Sequence, residues 1–153
     1  MADVHDDVTR SHNMSCISGK NTKPELTIRK GLHGQGFRYR LHNPLLPGKP
    51  DMVFPKYGAI ILINGCFWHQ HECHLFKWPS TRKEFWRKKI LSNKERDKRN
   101  LETYQQLGWK VLVIWECALK GKERRPINEV IHTAANWLQF DNTTAEIIGK
   151  KLP

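Results

Sequence analysis

One short segment, residues 64–80, is dense in thiol, imidazole and aromatic side chains, and it limits how the chain can fold. Structural zinc sites prefer cysteine and histidine ligands in a closed tetrahedron. Ligands from this segment, together with a cysteine just beyond an apolar run at 110–115, would fasten the loop to a sheet. The candidate ligands are Cys66, His71, Cys73 and Cys117. We therefore expect a structural Zn²⁺ site, although His69 and His74 compete with His71 and isolated buried cysteines are the alternative.

The net charge of the chain predicts a polyanionic partner. Its 153 residues contain 26 Lys and Arg against 15 Asp and Glu, which gives a formal net charge of +11. Basic side chains that meet phosphates release condensed counterions, so this surplus favours nucleic acid over an anionic membrane or a merely basic surface. The longest apolar run, 59–63, is far shorter than the ~20 residues of a membrane span. The acidic, polar start does not resemble a signal peptide, so we expect a cytoplasmic protein.

The apolar pattern predicts a single α/β domain. Residues 1–20 are polar and lack a clear period, so we expect either a frayed or a DNA-binding arm there, containing a free Cys16, before a domain over 21–153. The predicted elements are a helix from Thr22 to about Gly34, strands at 37–41, 51–54 and 59–63, a helix from about Thr81 to Leu107, a strand at Lys110–Trp115 and a helix at about Ile127–Phe140. This order predicts a mixed β-sheet flanked by helices.

Two finer expectations concern the second predicted helix and the core. Thr81 is expected to cap that helix, with Glu84 completing a capping box. Trp109 and Trp115 flank and end the apolar run at 110–115, so we assign both to the core.

A carboxylate at the start of a predicted strand is the first sign of catalytic chemistry. Asp51 follows Pro50, which favours an extended entry and leaves the carboxylate at an exposed strand end. A hard cation such as Mg²⁺ could bind there, but an ordinary turn aspartate shows the same pattern. Nucleases with a Pro-Asp…Glu-x-Lys motif carry an acid and a lysine on the next strand, where this chain has Ile63, Asn64 and Gly65. By that motif the site would be degenerate.

A combination of motifs makes the interpretation more specific. The motifs are Met1-Ala-Asp-Val-His-Asp, Leu46-Pro-Gly-Lys-Pro-Asp51, Gly65-Cys-Phe-Trp-His69, Glu84-Phe-Trp86, Glu95-Arg-Asp97 and Trp115-Glu-Cys-Ala-Leu119. Together they resemble the very short patch repair endonucleases, in register over about residues 1–120. The segment after residue 120 matches only loosely.

The resemblance implies a variant of the restriction-endonuclease fold and a Mg²⁺-dependent endonuclease reaction. Members of this family cut one strand 5′ of the thymine in a T:G mismatch left by deamination of 5-methylcytosine. By resemblance, Asp51 would hold Mg²⁺ together with the main-chain carbonyl of Ile63. His69 would be the general base that takes a proton from the attacking water.

Three further positions carry alternatives. Glu25 and Asp97 match family positions that bind metal-coordinated waters. Glu25 could instead be only a helix-capping acid, and Asp97 could pair only with Lys94 or Arg96 on its own helix. Asn64 stands where many relatives have a histidine, and its amide can donate a hydrogen bond but cannot supply a proton or a cation.

Aromatic side chains beside the predicted zinc loop indicate how DNA would be read. By resemblance, Phe67, Trp68 and Trp86 would intercalate from the major groove, while Met14 and Ile17 on the arm would enter the minor groove. A T:G wobble pair should open more easily than a Watson–Crick pair, although core packing is the commoner fate of tryptophan. The predicted long helix adds a basic face that would follow phosphates or be merely solvated, formed by Arg82, Lys83, Arg87, Lys88, Lys89, Lys94, Arg96, Lys98 and Arg99.

Two other functions fit the same residues. A restriction-type endonuclease of the same fold would cut matched DNA, and a catalytically silent zinc DNA-binding module would account for the missing Glu-x-Lys motif. We predict the mismatch endonuclease, acting as a monomer on double-stranded DNA, with catalytic Mg²⁺ and structural Zn²⁺. Helper proteins of mismatch repair are the further partners that this function would bring.

Overall fold

The computed structural model describes residues 23–151, so the predicted arm with Met14, Cys16 and Ile17 lies outside the described residues. Within this range the helices are α1 (Lys23–Gly34), α2 (Lys83–Gln106) and α3 (Ile127–Phe140). The strands are β1 (Arg40–Leu41), β2 (Met52–Phe54), β3 (Ala59–Asn64), β4 (Lys110–Trp115) and β5 (Ala145–Ile147), with 3₁₀ turns at Pro55–Tyr57 and Glu116–Ala118. None of the described helices is both long and apolar enough to cross a membrane.

The strands form one mixed sheet in the order of the chain. β1, β2 and β3 are antiparallel neighbours, whereas β3 pairs in parallel with β4, and β4 pairs in parallel with β5. Parallel neighbours need a crossover connection, and here α2 joins β3 to β4 while α3 joins β4 to β5. The predicted mixed sheet with flanking helices is confirmed.

Alternating side chains of the central strands build a core on each face of the sheet. On one face, Ile61 is fully buried with Ile28 of α1 and Val130 of α3. On the other face, Ile60 is fully buried with Tyr104 of α2. β3 is therefore apolar on both sides, which explains why it forms a continuous apolar run in the sequence.

The chain between α1 and β2 is less regular than predicted. Of the predicted strand at 37–41, only Arg40–Leu41 pairs with β2. Phe37 turns into the core, where it is 4% exposed, and its N–H donates to the carbonyl of Leu32 at 3.1 Å. The chain thus leaves the helix through a tight turn, and the first residues of the predicted strand belong to this exit from the helix.

The start of α2 also differs from the prediction. The helix begins at Lys83, and no side chain within the described part of the chain caps it, so the capping box between Thr81 and Glu84 is wrong. Arg82 precedes the helix in the left-handed conformation with φ of 51°, so the chain enters through a sharp turn instead of an extended threonine cap. The Arg82 guanidinium lies 4.2 Å from the centre of the Phe85 ring.

A fifth strand follows α3, where the sequence predicts no element. Ile147 of this short strand pairs with Ile114 of β4. The neighbouring Glu146 accepts a hydrogen bond of 2.9 Å from Nε1 of Trp115. Trp115 is therefore only partly buried, at the end of the sheet, and its assignment to the core is wrong. Trp109 is also partly buried and packs against the core beneath α2.

Candidate active site and metal cluster

Asp51 lies at the entrance to β2, beside the end of β3. Its Oδ2 accepts a hydrogen bond of 2.7 Å from the main-chain N–H of Ile63. Burial raises the pKa of Asp51 from an ordinary 3.8 to about 7, and the negative charge of Glu25 adds to the rise. The hydrogen bond from Ile63 and the nearby His69 both lower this pKa, but by less than burial raises it. A partly buried carboxyl group of this kind gains strongly from a bound cation, because the cation favours its ionised form.

The loop before Asp51 is fixed against α2. Tyr104 donates a hydrogen bond from its hydroxyl to the carbonyl of Pro47. Burial raises the pKa of Tyr104 to about 12, and nearby carboxylates add to the rise, so the hydroxyl stays a donor. Gly48 has a φ of 74°, and a Cβ there would lie 2.5 Å from Nδ2 of Asn100. Only glycine suits this approach, and the fixed loop sets the position of Asp51.

His69 and Asp97 form a hydrogen-bonded pair between the segment after β3 and α2. Nδ1 of His69 contacts Oδ2 of Asp97, so Asp97 pairs with the histidine and not with a basic neighbour on its own helix. Asn93, about one turn earlier on α2, donates to the carbonyl of Trp68 at 3.1 Å and holds the segment in place. A carboxylate at Nδ1 fixes the proton there and makes Nε2 the basic atom of the ring.

Glu25 is a buried acid that faces the sheet. Its side chain is 1% exposed, and its Oε1 lies 2.7 Å from Nε2 of His42 and 3.7 Å from Nη1 of Arg29. One ligand atom each from Glu25, His42 and Asp51 lie within 4.8 Å of one another. Sequence reasoning did not find His42, because it stands alone in a turn-rich loop and approaches Glu25 only when β1 and β2 pair.

Four of the five predicted catalytic residues open on one cleft of about 1400 Å³, whereas the buried Glu25 does not line it. It is lined, among others, by Asp51, Ile63, Asn64, His69 and Asp97. Lys94 and Lys98 of α2 lie along the same cleft, and Glu72 and Glu95 also line it, so the lining carries charges of both signs. Carboxylates in such a cleft can hold a divalent cation, and its lysines can contact a phosphate backbone.

A second cluster lies just beyond the ends of β3 and β4. It consists of Cys66, His71, Cys73 and Cys117, whose ligand atoms lie within 4.8 Å of one another. Nδ1 of His71 is 3.5 Å from the Sγ atoms of both Cys66 and Cys117. In a tetrahedral zinc site, sulfur and nitrogen ligands stand roughly 3.6 Å apart, so the spacing fits zinc.

Main-chain donors around the cluster suit thiolate ligands. Sγ of Cys66 accepts the N–H of Cys117 at 3.3 Å, and Sγ of Cys117 accepts the N–H of Gly149 at 3.4 Å. Burial raises the pKa of the Cys66 thiol and of the Cys117 thiol, so a cation is needed to keep both as thiolates. Donors of this kind orient zinc ligands, and the residues present fit a zinc ion.

The three competing histidines are separated by their partners. His71 joins the thiols, and its ring stacks on Trp115 with centres 4.2 Å apart and planes 8° apart. His69 pairs with Asp97. His74 uses Nδ1 to contact Oε1 of Glu123 at 2.6 Å. Glu146 in turn fixes Trp115, so the strand that the sequence did not predict helps to orient His71.

Phe67, Trp68 and Trp86, the three predicted intercalating residues that the structure describes, form one aromatic cluster between the segment after β3 and α2. The ring centres of Phe67 and Trp68 are 5.2 Å apart. The ring centre of Trp86 lies 5.4 Å from that of Phe67 and 5.8 Å from that of Trp68. All three side chains are only partly buried, which is unlike the core of this domain. Trp78 and Phe85 extend the cluster to the surface, at 47% and 45% exposure, a role that the sequence motifs do not indicate.

Comparison with known proteins identifies the family. The family model described as DNA mismatch endonuclease Vsr matches residues 2–75. The DNA mismatch endonuclease Vsr of Escherichia coli (strain K12) is 45% identical over 147 residues, which cover 96% of this chain and 94% of that protein. The chain belongs to the Vsr family of DNA mismatch endonucleases.

More distant Vsr relatives are named for nicking. The type II nicking enzyme V.NmeAIP of Neisseria meningitidis serogroup A is 42% identical, covering 86% of this chain and 95% of that protein. The type II nicking enzyme V.XorIIP of Xanthomonas oryzae pv. oryzae is also 42% identical, covering 72% of this chain and 81% of that protein. The resemblance seen in the sequence motifs is thereby confirmed.

Proposed function

We propose that this Vsr-family chain nicks one strand of double-stranded DNA 5′ of the thymine in a T:G mismatch. Such mismatches arise by deamination of 5-methylcytosine, so the nick would initiate very short patch repair. The observation that carries the proposal is the convergence of Asp51, His69 and Asp97 on one cleft that Lys94 and Lys98 also line. The relatives, which are a mismatch endonuclease and nicking enzymes by name, support the same reaction.

The residues fit two metal ions with different tasks. Asp51 and the main-chain carbonyl of Ile63 would hold Mg²⁺, which when bound would polarise the scissile phosphate and stabilise the leaving oxygen. The cluster of Cys66, His71, Cys73 and Cys117 would hold Zn²⁺ and keep the loop rigid.

In the proposed reaction the proton acceptor on the protein is a single atom, Nε2 of His69. Nε2 of His69 takes a proton from the attacking water, whose oxygen bonds to phosphorus while the bond from phosphorus to the leaving sugar oxygen breaks. Asp97 stabilises the imidazolium that forms, because its carboxylate already faces Nδ1. Asn64 lines the cleft and can donate an amide hydrogen to a phosphate oxygen, without supplying charge.

Mismatch selection is assigned to the aromatic cluster. Phe67, Trp68 and Trp86 would wedge beside the mismatched pair, at an unstacking cost of a few kcal/mol that is smaller for a wobble pair. The arm over residues 1–20 would reach the minor groove with Met14 and Ile17, and the nuclease domain over 21–153 would be a restriction-endonuclease-like domain. We expect it to act as a monomer in the cytoplasm, where bacterial chromosomal DNA lies.

A strand-resolved cleavage assay tests the proposal. Labelled T:G, T:A and C:G duplexes are incubated with and without Mg²⁺, and DNA binding is measured in parallel. We expect only the thymine strand of the T:G duplex to be nicked, only with Mg²⁺, and not by Asp51→Ala or His69→Ala. Equal cutting of the T:A duplex would identify a restriction-type enzyme, and tight binding without cutting would identify a silent binding module.

A further inference from the structure

The reacting side of the cleft lacks the lysine that a Glu-x-Lys motif would supply. The end of β3 offers Ile63 and Asn64, which carry no charge. His69 must be neutral at Nε2 to accept a proton, and its partner Asp97 is an acid, as is Asp51. These five residues give a phosphate no permanent positive charge. A side-chain cation near Asp51 would stabilise the phosphate there, and the chain offers one outside β3.

Lys49 stands two residues before Asp51 and lines the same cleft. Two residues of extended chain span at most ~7 Å, which is comparable with the reach of a flexible lysine side chain. The Lys49 side chain is exposed, and within residues 23–151 it takes part in no ion pair or hydrogen bond. Its ammonium group is therefore available to donate a charge-assisted hydrogen bond to a phosphate oxygen.

The backbone at Lys49 is strained and is held by its neighbours. Lys49 has a φ of 45° and follows Gly48 with a φ of 74°, so two successive residues are left-handed. Side chains other than glycine rarely adopt this conformation, and the proline that follows restricts it further. The main-chain N–H of Lys49 donates to the carbonyl of Leu46 at 3.3 Å, the next residue, Pro50, is buried, and the Tyr104 hydroxyl holds the same turn from α2. Strain at a non-glycine residue beside the cleft indicates that the fold imposes the direction of this side chain.

The other lysines of the cleft are placed differently. Four of them line it: Lys94, Lys98, Lys122 and Lys151. The first two belong to the basic face of α2, and the last two lie in the chain close to residues that contact the cysteine cluster or His74. Of the five lysines, only Lys49 is joined to Asp51 by a short turn that is anchored at both ends. It therefore meets the phosphate that a cation at Asp51 would bind.

We propose that Lys49 is a further catalytic residue, which binds the scissile phosphate in place of the lysine that a Glu-x-Lys motif would carry on β3. This role rests on the proposed function, because it concerns the same phosphate. The ammonium group donates to a non-bridging oxygen, and the contact strengthens as negative charge builds up on the phosphate during attack by water. Lys49 keeps its proton throughout, so His69 remains the base.

A binding cycle without cleavage tests this contact. Full-length, zinc-loaded protein is titrated, without added Mg²⁺, with a T:G duplex and with the same duplex carrying one neutral methylphosphonate at the scissile position. A third duplex carries the methylphosphonate near one end. Lys49→Gln and Lys49→Met remove the charge, and Lys49→Arg keeps it. Lys30→Gln is the matched control, because Lys30 is exposed on α1 and does not line the cleft.

We expect wild type, Lys49→Arg and Lys30→Gln to bind the unmodified duplex about tenfold or more tightly than the scissile methylphosphonate duplex. Lys49→Gln and Lys49→Met should bind these two duplexes within about threefold of each other, because the charged partner of that phosphate is gone. In single-turnover assays with Mg²⁺ and saturating protein, T:G nicking should fall by about 10²-fold in Lys49→Gln and by much less in Lys49→Arg.

An unchanged binding difference in Lys49→Gln and Lys49→Met would overturn the assignment, and so would an equal loss of affinity for all three duplexes, which describes a contact with another phosphate. A wild-type protein that binds the unmodified and scissile methylphosphonate duplexes alike would also overturn it. The proposed function is judged separately, from nicking of the T:G duplex by the wild type, so the two failures are distinguishable.

Discussion

The charge of Asp51 serves cation binding but destabilises the folded protein, so Asp51→Asn should raise the free energy of unfolding. The carboxyl is partly buried in the lining of the cleft, and burial raises its pKa from an ordinary 3.8 to about 7. Asparagine has nearly the same shape, and its amide oxygen can still accept the 2.7 Å hydrogen bond from Ile63. The substitution therefore removes the charge while keeping the local contacts. We expect a more stable protein that no longer nicks DNA.

The size of the gain follows from the shift in pKa. The folded state favours the protonated carboxyl, so this group contributes stability at low pH that is lost as pH rises from about 4 to about 7. At pH 8 the folded state carries the full cost of about three pKa units, which is ~4 kcal/mol at the usual conversion. Water in the open cleft screens part of this charge, so we expect a measured gain of roughly 2 kcal/mol. At pH 5.5 the gain should be about half as large.

Urea titrations followed by tryptophan fluorescence provide the measurement. Wild type and Asp51→Asn are compared at pH 5.5 and pH 8, zinc-loaded and without Mg²⁺. Glu102→Gln is the control, because Glu102 is exposed on α2 and removing its charge should leave the pH dependence of stability unchanged. A less stable Asp51→Asn protein at pH 8, or a gain that is equal at both pH values, would refute the reasoning.

Four further substitutions probe other parts of the site and fold. Asp97→Asn should lower T:G nicking by about 10²–10⁴-fold with DNA binding intact, because Nδ1 of His69 loses its carboxylate; unchanged rates would contradict the pair. Cys73→Ser should lower the zinc content and the melting temperature, as measured by metal analysis and calorimetry. Trp68→Ala should reduce the preference for T:G over T:A binding by about tenfold in competition assays. Lys110→Met should destabilise the protein by about 1–3 kcal/mol in urea titrations, since the lysine ammonium donates to carbonyls at the end of α3.

The elements predicted best from the sequence are those that are stabilised by burial of their own apolar side chains. β3 and β4 are continuous apolar runs, and the predicted bounds of β4 and α3 match the structure. β1 and β5 are two and three residues long, and they exist because a neighbouring strand offers them partners. Such strands leave little local pattern, so they follow from tertiary pairing alone. The predicted capping box at Thr81 failed because Arg82, in the left-handed conformation, is the residue that precedes the helix.

Within the site, residue types were predictable and partners were not. Motif and chemistry singled out Cys66 and Cys117, and the parallel pairing of β3 with β4 brings their strand ends together. Spacing could not separate His69, His71 and His74, because all lie within one short loop. The fold separates them by giving each a different neighbour: a carboxylate on α2, a group of thiols, or Glu123.

This sorting of histidines would let one loop serve both of the proposed kinds of chemistry. An imidazole among thiols becomes a fixed metal ligand, whereas an imidazole beside a lone carboxylate stays a base with one nitrogen for the solvent. A zinc ion held by Cys66, His71, Cys73 and Cys117 would make the loop rigid, and His69 would share that rigidity because it lies between Cys66 and His71 in the chain. Asp97 on α2 contacts Nδ1 of the same ring. Loss of the zinc ligands should therefore impair nicking through the position of His69.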